Sequence, residues 1–178
     1  MIVRNENNTL LLRNETNARL DRLVLGNDYF PQRFSPSASG EGPVVFVGYG
    51  ITAINLDHDD YAKANVTGKV VLLLTHEPGE YDPQSKFDGL APTEHARLVR
   101  KAIEAERRGA VAVLFTSDTH NHNRSSSLNS AMDRAWPLVE RRRPRYELGS
   151  WVAQLTIPAM HISTTVAEQL VADSGTSW

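Results

Sequence analysis

The strongest constraint in this 178-residue chain is a pair of short apolar runs separated by one helix-length segment. Lys69–Thr75 (KVVLLLT) follows the turn residues Thr67-Gly68, and Val111–Phe115 (VAVLF) follows Gly109. Runs of this length without polar alternation read as strands buried on both faces. Between them, Thr93–Arg108 reads as a helix. Pro92 precedes Thr93, a suitable N-cap, and Gly109 suits the position just past the end. Ala96, Val99, Ala102 and Ile103 fall on one face at helical spacing, with Arg100, Lys101, Glu104 and Arg107 directed elsewhere. Strand, helix, strand in this order is a right-handed βαβ unit, which places the chain in the α/β class.

The remaining elements are shorter. Residues 1–34 read as an arm with two apolar bursts, Leu10–Leu12 and Leu23–Leu25, each of strand length, and a turn at Gly26–Asp28. Ser35–Pro43 (SPSASGEGP) reads as a linker-like loop between that arm and a core spanning 44–178, the whole forming one globular domain. Val44–Val47 reads as a buried strand. Trp151–Ile157 reads as another, interrupted by Pro158 and resumed over Ala159–Ile162, and Thr164 then caps a short helix to about Val171. Thr116–Ser130 reads as an exposed polar loop. A chain of this length buries about 70% of its unfolded surface, so it needs no covalent staples.

Composition narrows the function classes. With no cysteine, disulfide frameworks, thiolate metal sites and cysteine nucleophiles are excluded. A net charge of −2 gives no overall basic footprint for nucleic acid. No apolar run approaches the roughly 20 residues that span a bilayer, and no signal-peptide core is present at the amino terminus as given.

Several motifs invite a chemical reading. Gly48-Tyr49-Gly50-Ile51-Thr52-Ala53 has the spacing of a dinucleotide fingerprint, but the segment after it is a poor helix opening, so a glycine-bounded turn is the better reading. His58 and Asp60 form a His-x-Asp pair, yet structural zinc takes four ligands, and the segment His58-Asp59-Asp60 reads as an Asx-type turn leading to Tyr61. His120 and His122 lie two apart in the polar loop. Arg141–Arg145 reads as a solvated helix end closed by Pro144. No Gly-x-Ser-x-Gly elbow presents a nucleophile.

Taken in order along the chain, Val45–Ile51, Asp60-Tyr61 and Val66–Leu72 resemble the protease-associated (PA) domain, in the version inserted in exported zinc aminopeptidases of the glutamate carboxypeptidase-like family. Glu77–Pro83, Phe87–Gly89, Thr93–Ala96, Arg108–Phe115 and Ile157–Ser163 extend the resemblance over about residues 23–171. It implies a swivelling β/β/α domain, an open β-barrel or sandwich with flanking helices. It implies no catalysis here, because in those enzymes a separate domain holds the two zinc ions through a His-x-Asp, a Glu-Glu pair and further ligands. This chain has no Glu-Glu, and its His-x-Asp lies inside the PA-like region.

The expectation is therefore a non-catalytic accessory module, cut from a larger peptidase, with no cofactor of its own and with zinc in the missing catalytic domain. Its partners would be that peptidase domain and a peptide or protein substrate, in an extracellular or periplasmic setting. The loop Glu77–Pro92 is the expected partner-facing surface, with Tyr81 and Phe87 for apolar or backbone contact and Asp88 for an amine or amide donor. The competing reading of these residues packs Phe87 under its own loop and turns Asp88 with Gly89. A different class of function, a small metal-dependent hydrolase, would use His58, Asp60, His120 and His122 around one ion. A third, a phosphotransfer-type carrier, would need His95 or His161 at a helix amino end.

Overall fold

The computed structural model describes residues 8–13, 20–119, 121, 128 and 155–173. The two apolar runs are the middle strands of a five-stranded sheet. In chain order the strands are β1 (Leu11–Arg13), β2 (Leu20–Arg22), β3 (Tyr29–Pro31), β4 (Val44–Phe46), β5 (Thr52–Ala53), β6 (His58–Asp59), β7 (Val70–Leu74), β8 (Ala112–Thr116) and β9 (Ala159–Ile162). The helices are α1 (Leu98–Arg107) and α2 (Thr164–Asp173). Across the main sheet the order is β3-β9-β8-β7-β4. Strands β4, β7, β8 and β9 run parallel, and β3 closes one edge antiparallel to β9. Pairs β1–β2 and β5–β6 are separate antiparallel ribbons. The described chain is thus a mixed α/β structure.

Every residue of β7 and β8 is buried, because both faces of the sheet are covered. Val71, Leu73, Val113 and Phe115 pack with Ala102 and Ala105 of α1. Their neighbours Val70, Leu72, Ala112 and Leu114 pack with Val166, Ala167 and Val171 of α2, and Leu10 and Leu12 of the β1–β2 ribbon join that layer. The alternation of strand side chains therefore feeds two cores, which is why the sequence shows continuous apolar runs. Strand β4 pairs on one side only and is half-buried rather than buried.

Several boundaries differ from the sequence reading, each for a local reason. Thr93 caps a separate 3-10 turn, Glu94–Ala96, by accepting from the His95 amide at 3.2 Å, and Arg97 is extended before α1 begins. The Thr93 amide and hydroxyl both donate to the Glu77 carboxylate, which ties that turn to the preceding loop instead of to the helix axis. Ser163, not Thr164, caps α2, its hydroxyl accepting from the Val166 amide at 3.3 Å. Leu155–Pro158 is not a strand, since the Thr156 amide and hydroxyl are taken by Glu106; residues 151–154 lie outside the described residues. Leu23–Leu25 is likewise not a strand: the Val24 amide is drawn to Asp28 Oδ2 at 2.7 Å, forming the turn that leads into β3. Strand β3, absent from the sequence reading, is only three residues long and ends in Pro31.

Residues 32–43 must carry the chain from β3 on one edge to β4 on the other, and they do so as a strap across the amino ends of the strands between. The Ser35 hydroxyl accepts from the Ala159 amide at 3.0 Å, and Pro43 O accepts from the Val70 amide at 3.0 Å. A Cβ on Gly40 would stand 2.1 Å from Val111 O, and one on Gly42 2.5 Å from Gly68 O. The Ser- and Gly-rich composition that resembles a spacer is what close approach to backbone requires. Gly40→Ala should therefore cost about 1–3 kcal/mol as an overpacking change, whereas Ser39→Ala in the exposed part of the strap should cost less than about 0.5 kcal/mol. Urea unfolding of the two variants checks this.

Candidate functional site

Four parallel strands send their following segments to one end of the sheet, the end where α/β folds place ligand-contacting loops. After β4 comes Gly48-Tyr49-Gly50, with φ of 63° and 66° at the two glycines. These left-handed positions turn the chain at once into the β5–β6 ribbon instead of a helix, so no helix amino end is available for a pyrophosphate. The turn brings the Tyr49 hydroxyl to Asp118 Oδ2, to which it donates at 2.8 Å. Asp118 follows β8, is almost fully buried, and also accepts from Asn121 Nδ2 at 2.7 Å.

Lys101 completes this cluster from α1. Placed by the sequence reading on the polar side of the helix, it is only 2% exposed. Its Nζ donates to Leu74 O at 3.0 Å and to His76 O, and lies 5.4 Å from the centre of the Tyr49 ring. The signal was present: Leu98, Lys101, Ala102 and Ala105 share an i, i+3, i+4, i+7 stripe. A long stem buries its methylenes along that stripe while the amine satisfies carbonyls left where β7 ends. Burial pushes the Lys101 ammonium down to about 7, against the opposing pull of Asp60, Glu77 and Asp118. Burial, and then the neighbouring Asp118 carboxylate, push the Tyr49 phenol well up. Both groups thus hold their neutral forms more readily than in water.

The His58/Asp60 pair lies on the adjoining ribbon. His58 Nε2 is 3.0 Å from Asp60 Oδ1, but without hydrogen-bond alignment. Asp60 Oδ2 accepts from the Ile51 amide at 2.9 Å. Asp59 Oδ1 accepts from the Tyr61 amide at 3.0 Å, the Asx turn expected from the sequence. Arg108, stacked 4.5 Å from the Tyr61 ring centre, bonds Asp59, Thr52 and Glu104 together and fastens the ribbon to α1.

Phe87 joins the Glu77–Pro92 loop to the ribbon. It is 3% exposed and packs with Ile51 and Ala53. The His58 ring stands edge-on to it at 5.1 Å, and Phe87 is similarly placed against His95 at 5.8 Å. Tyr81 and Asp88 are exposed, with left-handed φ of 71° and 72°. The Tyr81 amide donates to Gly89 O at 2.7 Å, closing the loop on itself. Of the three loop residues named from sequence, Phe87 is turned inward while Tyr81 and Asp88 face solvent. His95 sits in the 3-10 turn, and His161 is buried in β9, stacked on Phe30 at 5.0 Å. His120, His122 and Arg141–Arg145 lie outside the described residues.

Among the described residues no three His, Asp or Glu side chains converge to hold a metal ion, and the Asp60 carboxylate is already engaged by the Ile51 amide. No helix of the described residues is long and apolar enough to cross a membrane.

No family model matches the chain, and no curated protein matches it. Among solved structures it is similar to the aminopeptidase from Aneurinibacillus sp. strain AM-1, at 17% identity and a TM-score of 0.50. The likeness covers 94% of this chain and 27% of that one, so this chain spans about a quarter of the aminopeptidase's length. At this identity the likeness is one of fold: the chain resembles a domain of an aminopeptidase.

Two outcomes follow from the geometry. An unfolded lysine keeps its proton up to about 10.5 while folded Lys101 releases it at about 7, so between these pH values the unfolded state binds more protons. Stability therefore rises with pH across that window, by at most about 1.4 kcal/mol per unit. Unfolding free energies from pH 7 to 10 should show wild type gaining on Lys101→Met; a constant difference would contradict the buried amine. Phe87→Ala should cost about 3 kcal/mol and raise amide exchange across 77–92 and 51–58, as read by exchange mass spectrometry.

Proposed function

We propose that this chain is a non-catalytic PA-type domain of an exported zinc aminopeptidase-type metallopeptidase, shaping substrate access or docking peptide. The observation that carries the proposal is the likeness of nearly the whole chain to 27% of an aminopeptidase chain, the proportion of an accessory domain beside a larger catalytic one. The order of sequence segments that resembles the PA domain supports the same reading. In that reading the sheet and its two ribbons form the swivelling β/β/α arrangement, an open barrel or sandwich flanked by helices. The zinc ions belong to a catalytic domain elsewhere in the parent protein, which works in an extracellular or periplasmic setting. The partners are that domain and a peptide or protein substrate.

The donor chemistry supports it too. His58 and Asp60 offer two ligands, and the buried Lys101 and Asp118 are engaged in fastening loops. Lys101 spends its donors on backbone carbonyls, and Asp118 accepts from Tyr49 and Asn121. In this reading the cluster serves to fasten the loops at this end of the sheet.

Elemental analysis of the tag-free chain, with turnover of aminoacyl p-nitroanilides on the same sample, tests the proposal. The expected result is no stoichiometric zinc and no turnover. One or two tightly bound zinc ions, with turnover lost in His58→Ala or His122→Ala, would overturn it and establish the chain as a metal-dependent hydrolase.

A further inference from the structure

We propose that the end of the domain bearing Ile54, Tyr81 and Leu90 is a docking ridge for a peptide segment carrying both apolar and basic side chains. This deepens the accessory-domain reading and rests on it. Ile54 is 86% exposed, Leu90 75% and Tyr81 66%, the most exposed large hydrophobic side chains among the described residues. All three arise on the two segments that Phe87 clamps together. Ile54 adjoins Ala53, which Phe87 packs against, while Tyr81 bonds to Gly89 beside Leu90. The apolar side chains that could have been buried at this end, Ile51 and Phe87, are buried. Beside those left outside, the backbone is tied: the Ile54 carbonyl accepts from the Asp57 amide at 3.0 Å, and Gly89 O, next to Leu90, accepts from the Tyr81 amide.

Charge identifies the occupant. Segments 54–60 and 77–94 carry eight Asp or Glu and one Lys, although the whole chain has 21 against 19. Part of this acidity is consumed internally: Asp59 pairs with Arg108, Glu94 with Arg100, and Glu77 holds Thr93. Asp57, Asp82 and Asp88 stay at the surface around the ridge, and no Lys or Arg of the described residues pairs with them. Apolar side chains ringed by carboxylates favour a partner that brings aliphatic surface and ammonium or guanidinium groups together, and disfavour an acidic one. The four non-glycine residues with left-handed backbone among the described residues, Asp57, His76, Tyr81 and Asp88, all lie at this end. The ridge is therefore held in one shape before any partner arrives, which lowers the ordering cost of binding.

The test titrates the 15N-labelled chain with blocked Leu-Lys-Leu-Lys-Leu and, separately, blocked Leu-Glu-Leu-Glu-Leu. Expected are amide shifts confined to 54–57 and 79–91, at least tenfold tighter binding of the lysine peptide, and roughly fivefold weakening between 50 and 300 mM salt. Ile54→Ala with Leu90→Ala should weaken both peptides about fivefold. Asp57→Asn with Asp82→Asn and Asp88→Asn should erase the preference; asparagine tolerates the left-handed backbone at 57 and 88, so the fold is kept. No shift at the ridge, or equal binding of the two peptides, would overturn the proposal. Sedimentation showing a dimer that Ile54→Ala with Leu90→Ala dissociates would instead assign the ridge to a second copy. The two readings fail separately: a zinc-bound, active chain overturns the accessory role whatever the peptides do, and a metal-free, inactive chain that ignores both peptides overturns only the ridge.

Discussion

Everything in this structure follows from burying the β7–β8 pair on both faces. Two parallel neighbours five residues long expose ten alternating side chains to two separate layers. A crossover must join these two strands, because parallel strands cannot be joined by a tight turn, and here it is a helix. Helix α1 meets that need and contributes small residues, Ala102 and Ala105, where it lies closest to the sheet. The other face has no such obligatory cover. It is closed by α2 and by the β1–β2 ribbon, elements from opposite ends of the sequence. The strap of residues 32–43 exists because that topology puts β3 and β4 on opposite edges of one sheet.

The same parallel arrangement directs the chemistry-bearing segments to a single end. Where β7 stops, its last carbonyls would be left in a protein interior, and a buried unpaired carbonyl costs more than a made hydrogen bond returns. Lys101 answers that demand, at the expense of burying an amine. The acidic groups around it, Asp60, Glu77 and Asp118, partly offset its desolvation, and each in turn fixes a loop: Asp60 the turn after β4, Glu77 the turn before α1, Asp118 the segment after β8. This web makes the carboxyl end rigid. Rigid loops can hold apolar side chains in water without collapsing over them, as Ile54 and Leu90 are held.

How legible was this in the sequence? The β7, β8 and β9 strands and the body of α1 were, since continuous apolar runs and a 3.6-residue stripe are local signals. The glycine turn after β4 and an Asx-type turn within His58–Asp60 were legible too, because both depend on residues within a few positions of each other. Strand β3 was not: three residues ending in proline gain their identity only from β9, some 130 positions away. The burial of Lys101 was legible only as its place on the apolar stripe of α1; what makes a buried amine tolerable, the carbonyls of Leu74 and His76, is brought to it by the sheet. The inward turn of Phe87 was open to either reading, since its partners His58 and Ile51 lie on a different ribbon.

The sequence by itself determined the class of the fold, an α/β sheet built on one βαβ unit, and the absence of cysteine chemistry. Hydrophobic period and turn composition act over a few residues, so they are written locally. Tertiary structure alone decided which side chains meet at the carboxyl end: that Tyr49 reaches Asp118, that Lys101 caps β7, and that Ile54 and Leu90 stay outside while Phe87 goes in. Those outcomes depend on which strands are neighbours and on what each buried polar group finds to bond, and both are properties of the assembled sheet rather than of any one segment.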